Sequence, residues 1–92
     1  VYLGTPVETI VNGEVITSHT LVKRYVNRLS VRQNEYYDAM NTGLKPELMF
    51  EIRTLEYNGQ PTLKHNNIDY EVIRTYDKGE FTELIVSRNL NG

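Results

Sequence analysis

Two Asn-Gly dipeptides, Asn12-Gly13 and Asn58-Gly59, constrain this chain most, because each sits between β-compatible runs. Asn-Gly is the strongest short-range hairpin signal: both central residues of the tight turn must accept positive φ, which these two tolerate. "HNN" at His65–Asn67 and "DKGE" at Asp77–Glu80 read as two further reversals. Four reversals in one short chain imply a strand-rich meander. Between them lie "VETIV", "EVITSHTLVKRYVNRLSV", "ELMFEIRTLEY", "IDYEVIRTY" and "FTELIVSR", all rich in β-branched and aromatic residues.

The apolar period supports that reading. Leu48, Phe50 and Ile52 share one face with Glu51 and Arg53 opposite, as in a half-buried strand. Ile68, Tyr70 and Val72 repeat the pattern against Asp69 and Glu71, so the two strands are expected as core neighbours. The apolar phase then shifts to Leu55 and Tyr57, which predicts a bulge or bend near Thr54 that curls the sheet. The fold class expected is mainly β, a small β-barrel or sandwich with one short α-helix inserted between strands, forming a single domain over residues 1–92. No repeat or linker-like tract divides it.

The helix is expected over Asn34–Gly43. Asn34 is a plausible N-cap, Glu35 and Asp38 complement the dipole, and Gly43 suits a left-handed C-cap. A capping box from Ser30 to Gln33 would start it one turn earlier. Tyr36, Met40 and Leu44 form a narrow apolar stripe, and Pro46 blocks continuation, so "GLKPELMF" ends the helix and launches a strand.

At 92 residues the core is thin: folding buries roughly 60–65% of the surface an unfolded chain of this size exposes. No cysteine is present to supplement it, so an intracellular, reducing setting and support from partner subunits are expected. The formal charge of −2 and pI near 5.6 argue against strong non-specific binding to nucleic acid, which clustered basic residues supply. No apolar run approaches the ~20 residues that cross a bilayer, so no membrane partner is expected. The amino-terminal "VYLGTPVETIV" does not read as a signal peptide, and a start at Val1 suggests that residues precede it.

Chemistry-bearing residues are few. His19 and His65 are far apart and belong to no ligand-spaced pair, so surface histidines are expected rather than metal ligands. Glu47, Glu51, Asp69, Glu71 and Glu83 occupy polar strand positions, as on a solvated face. No phosphate loop or serine elbow exists, and neither catalysis nor a cofactor is expected. Seven tyrosines are many for this length. Base stacking on a barrel face is one use of them. The reading favoured here places Tyr25, Tyr57 and Tyr70 in core or cross-strand positions and Tyr36 and Tyr37 on a packing side of the helix. Lys23-Arg24, the only adjacent basic pair, reads as a solvated strand end.

The ordered set "EYYDAMNTGLKPELMFEIR" followed by "YNGQPTLKHNNIDYEVIRTY" resembles the small head-closure proteins, also called head-tail adaptor or head-tail joining proteins, of long-tailed phages with non-contractile tails. The resemblance covers Asn34 to Arg88, and the amino-terminal third only in its strand pattern. It implies a β-barrel subunit of a homo-oligomeric ring, commonly of twelve copies, in the virion neck. Such a ring sits below the portal and its adaptor ring, retains the packaged genome, receives the tail-completion or tail-terminator protein, and passes double-stranded DNA without reading sequence. The subunit interface or channel loop would then lie at Gln33, Asn34, Tyr36, Tyr37, Met40, Asn41, Gly43, Leu44, Lys45 and Pro46. An oligonucleotide-binding barrel and a tail-terminator-type neck protein are the alternatives.

Overall fold

A computed structural model of the chain describes residues 1–33 and 45–88, and the helix expected over Asn34–Gly43 lies outside the described residues. Seven strands form one antiparallel sheet: β1 (Tyr2–Val11), β2 (Glu14–Lys23), β3 (Asn27–Leu29), β4 (Leu48–Arg53), β5 (Thr62–His65), β6 (Ile68–Asp77) and β7 (Phe81–Arg88). Their spatial order is β2-β1-β5-β6-β7-β4-β3.

Three of the four reversals close hairpins. Asn12 (φ 52°) and Gly13 (φ 81°) join β1 to β2, and Asn66 and Asn67, both at positive φ, join β5 to β6. At Asp77–Glu80 the Gly79 N–H donates to Asp77 Oδ1 and the Lys78 N–H to the Phe81 carbonyl, which turns β6 into β7. Asn58-Gly59 differs from expectation. It follows a 3-10 turn at Thr54–Glu56 and leads into β5, while β4 pairs with β7 and β3. Gly59 has positive φ (77°) but Asn58 does not, no tight turn forms there, and the strands on either side lie apart in the sheet with β7 and β6 between them.

Apolar alternation places the core as read. Phe50 and Ile52 of β4, Tyr70 of β6, Leu84 and Val86 of β7, Leu3 of β1 and Leu63 of β5 form one buried cluster, with Leu48, Ile68 and Val72 against it. β4 and β6 meet across β7 rather than side by side. The register shift falls in β6 between Val72 and Arg74, and the bend near Thr54 is the 3-10 turn. Leu55, expected on the apolar phase, is 95% exposed, because that turn ends the alternation; Tyr57 rejoins the core.

Connectivity explains why the sheet is curled. β2 and β3 are its two edges, yet only Arg24–Val26 joins them. Four residue steps span at most about 14 Å, so the edges must approach each other. Arg24 fastens this link: its Nε donates to the Glu56 carbonyl at 3.1 Å and its NH1 to the Lys23 carbonyl at 3.0 Å. That is a structural role for a residue read as a solvated strand end. No β2–β3 ladder forms, so the sheet curls like a barrel without closing into one.

β7 is buried on both faces from Thr82 to Ser87. One face is the core; on the other, Met49 and Ile85 are fully buried and Glu83 is 5% exposed. The chain leaving β3 reaches this second face. Arg32 donates to both oxygens of Glu83, at 2.8 and 3.2 Å, and lies 5.8 Å from the centre of the Tyr76 ring. Lys78 Nζ approaches the same carboxylate at 3.5 Å. A carboxylate so buried needs such partners, and the Arg32 hydrogen bonds hold its pKa below the usual carboxylate value against the opposing effect of burial.

Candidate functional site: a projecting hairpin arm

The β1–β2 hairpin runs in unbroken register from Tyr2↔Lys23 to Val11↔Glu14. Its contact with the rest of the sheet ends much sooner, since β1 pairs with β5 only at Tyr2, Leu3 and Gly4. Thr5–Val11 therefore has β2 as its sole strand partner among the described residues. At ~3.4 Å per residue, these seven residues carry the hairpin roughly 24 Å beyond the body. A radius of gyration of 14.3 Å, against about 12 Å for a compact chain of this length, agrees with such a projection.

Hydrogen-bond parity explains the departure. Val1 and Arg24 exchange both backbone bonds, at 2.9 and 3.1 Å. Antiparallel pairs alternate, so odd residues of β1 bond to β2 and even ones point to the other side. Tyr2 and Gly4 use that side for β5; the next even residue is Pro6, which has no N–H to donate. The ladder stops where the donor disappears. Gly4 is needed just before this point: a Cβ there would collide with Thr62 Oγ1, which donates to the Gly4 carbonyl at 3.1 Å.

Among the described residues the same alternation leaves the outer edge of β2 without a partner strand at Val15, Thr17, His19 and Leu21. Edge strands are commonly protected by lysine, proline or a bulge. Between Glu14 and Val22 none of these occurs. Apolar side chains line the arm on both faces, with Ile10 75% and Val15 62% exposed near the tip and Val7, Val11 and Ile16 exposed opposite. An isolated two-stranded hairpin is marginally stable in water, so an arm of this kind gains order from a third strand.

Charge is divided in the same way. From Lys23 onward the ten basic residues balance ten acidic ones, so the formal −2 resides in Glu8 and Glu14 of the arm, where no lysine or arginine occurs. At the far edge of the sheet, beside β3, Arg28, Leu29, Ser30, Val31, Glu47 and Leu48 line an open groove. Glu47 is engaged there by Arg88, whose Nε lies 3.6 Å away and whose N–H donates to the same oxygen at 3.2 Å.

Of the interface residues expected from the sequence, Asn34, Tyr36, Tyr37, Met40, Asn41, Gly43 and Leu44 lie outside the described residues. Gln33 and Lys45 are exposed, whereas Pro46 is fully buried and Arg32 is clamped to Glu83. The described ends of that segment are thus anchored on the body. The projection seen among the described residues is the amino-terminal arm, which sequence reasoning paired as a hairpin without recognising that it leaves the sheet. The isolated Pro6 and the lack of cations before Lys23 were the available signals.

The tyrosines separate by environment. Tyr70 is in the core and Tyr57, half-buried, donates to the Gln60 carbonyl at 2.9 Å, with its pKa raised by burial. Tyr25, expected in a core or cross-strand position, is 83% exposed because it lies in the short β2–β3 link, with Lys23 Nζ 5.6 Å from its ring centre. His19 lies on the arm opposite Pro6, and His65 meets the Phe50 ring edge-on. Among the described residues no three His, Asp or Glu side chains converge as metal ligands, and no helix is long and apolar enough to cross a membrane. Comparison with family models, curated proteins and solved structures finds no match to this chain.

Proposed function

We propose that this chain is a structural subunit of a phage neck: a ring-forming head-closure protein lying between the portal with its adaptor ring and the tail. In this reading the ring closes the DNA channel after packaging and provides the tail's attachment site. The supporting observation is the pairing of a rigid, curled sheet with a projecting arm whose edge and apolar tip have no partner strand within the described chain. A ring subunit needs both parts, a body that keeps its shape and an element that reaches its neighbour. The charge distribution is compatible with a conduit. An acidic arm and a charge-balanced body offer little to hold phosphates tightly, so duplex DNA would pass without being retained by the wall.

Adding the purified protein to portal–adaptor complexes and imaging them by electron microscopy tests the reading. A further ring stacked on the adaptor is the expected result; a chain that never binds adaptor or tail-completion rings would refute it. The exposed Tyr25 beside Lys23 favours a second reading, a single-strand-binding barrel that stacks bases. Titration with labelled single-stranded DNA at low salt separates the two, because stacking proteins bind tightly and lose affinity steeply with salt.

A further inference from the structure

We infer that the arm is a strand donor: the outer edge of β2, from Val15 to Leu21, adds to the β3 edge of a second copy of this chain. The inference rests on the ring reading only in taking another copy as the occupant. Among the described residues each molecule has one long edge without a partner strand, β2, and at the opposite end of its sheet a short one, β3 (Asn27–Leu29). Pro6 blunts the other side of the arm at its first outward position. One donor edge and one different acceptor edge per chain produce a head-to-tail contact, which closes into a ring when its rotation closes and runs on as an open filament when it does not. Main-chain bonds to an added strand supply affinity, and alternate side chains supply fit.

Charge selects this partner surface over the alternative. Two arms laid edge to edge would bring together the four carboxylates of two copies, with no cation on either arm. At β3 the arm instead meets the exposed Arg28, in a groove whose described lining has one carboxylate, Glu47, already engaged by Arg88, while the nearby Glu51 accepts from Asn27. Leu29, Val31 and Leu48 in that groove are half-buried apolar surfaces suited to Ile10 and Val15, which share a face at the tip of the arm. A third strand beside β2 also supplies what the two-stranded arm lacks.

The absence of native cysteine makes a direct test possible. Thr17→Cys places a thiol on the donor strand and Ser30→Cys one beside the acceptor. Mixing the two single variants with a short bismaleimide should give a mixed dimer, and the double variant a ladder of higher oligomers. Self-linking of Thr17→Cys alone would place arm against arm and overturn the inference, as would a protein that stays monomeric at millimolar concentration. Thr17→Pro removes one outward N–H while leaving the β1 ladder intact, and should weaken self-association about tenfold. If that variant fails to fold, the charge exchange decides: Glu14→Arg and Arg28→Glu should each weaken association and together restore it, and a pair that does not restore it refutes the proposed contact. Rings stacked on an adaptor with no arm-to-β3 cross-link would sink this inference and leave the ring reading standing. Arm-linked chains that never bind an adaptor would do the reverse.

Discussion

Arg32→Met isolates the ion cluster that clamps the segment after β3 onto the outer face of β7. Methionine has an apolar stem of similar length and lacks the guanidinium that donates at 2.8 and 3.2 Å to Glu83 and lies over the Tyr76 ring. Hydrogen bonds to charged groups are each worth about 1.5–3 kcal/mol. The Arg32 side chain is 40% exposed, so screening reduces that figure, and Lys78 at 3.5 Å still faces the carboxylate in the variant. A loss of ~1–2 kcal/mol at pH 7 follows, which for a domain of this size lowers Tm by roughly 4–16 °C. The pH dependence is the sharper part. Glu83 has a folded-state pKa below its unfolded value, so its ionised partnership contributes stability above the unfolded pKa and loses it as pH falls through the folded pKa. Acid should therefore erase most of the difference between the variant and the parent. Urea unfolding followed by circular dichroism at pH 7 and then at a series of falling pH values, until the difference stops changing, measures both. A difference that persists unchanged in acid would mean that Arg32 acts through packing and that the charge argument is wrong.

Other perturbations probe the body and the root of the arm. Phe50→Ala removes a fully buried ring from the core cluster and should cost about 3–5 kcal/mol in the same denaturation assay; a loss under ~1 kcal/mol would contradict the packing described. Gly4→Ala should destabilise by about 1–3 kcal/mol through the collision with Thr62 Oγ1, and Thr62→Ala in the same chain should recover part of that loss. Without recovery, the close approach at the root would not be the cause. Gly13→Ala places a side chain at φ 81° and should loosen the tip, read as faster amide exchange in Thr9–Ile16 with little change in β7. Tyr57→Phe, which removes the hydroxyl that donates to the Gln60 carbonyl, should cost about 0.5–1.5 kcal/mol in thermal unfolding.

Local chemistry settled a large part of this architecture. The Asn12-Gly13 and Asn66-Asn67 turns need positive φ and mark reversals, and alternation in Leu48–Ile52 and Ile68–Val72 fixed which side chains face the core, because a strand exposes its two faces at a period of two. Partner choice is not a local property. The sequence around Asn58-Gly59 has the same turn chemistry as Asn12-Gly13, yet only the latter joins neighbouring strands; which edge a strand meets depends on how residues far apart share one core. Nor did the pattern in β1 and β2 reveal that most of it faces no core, since an apolar residue on an unpartnered arm and one in a sheet obey the same alternation. That distinction arose from where the β5 ladder ends, at Gly4 with Pro6 beyond it, and from the short link that curls the sheet without pairing β2 to β3.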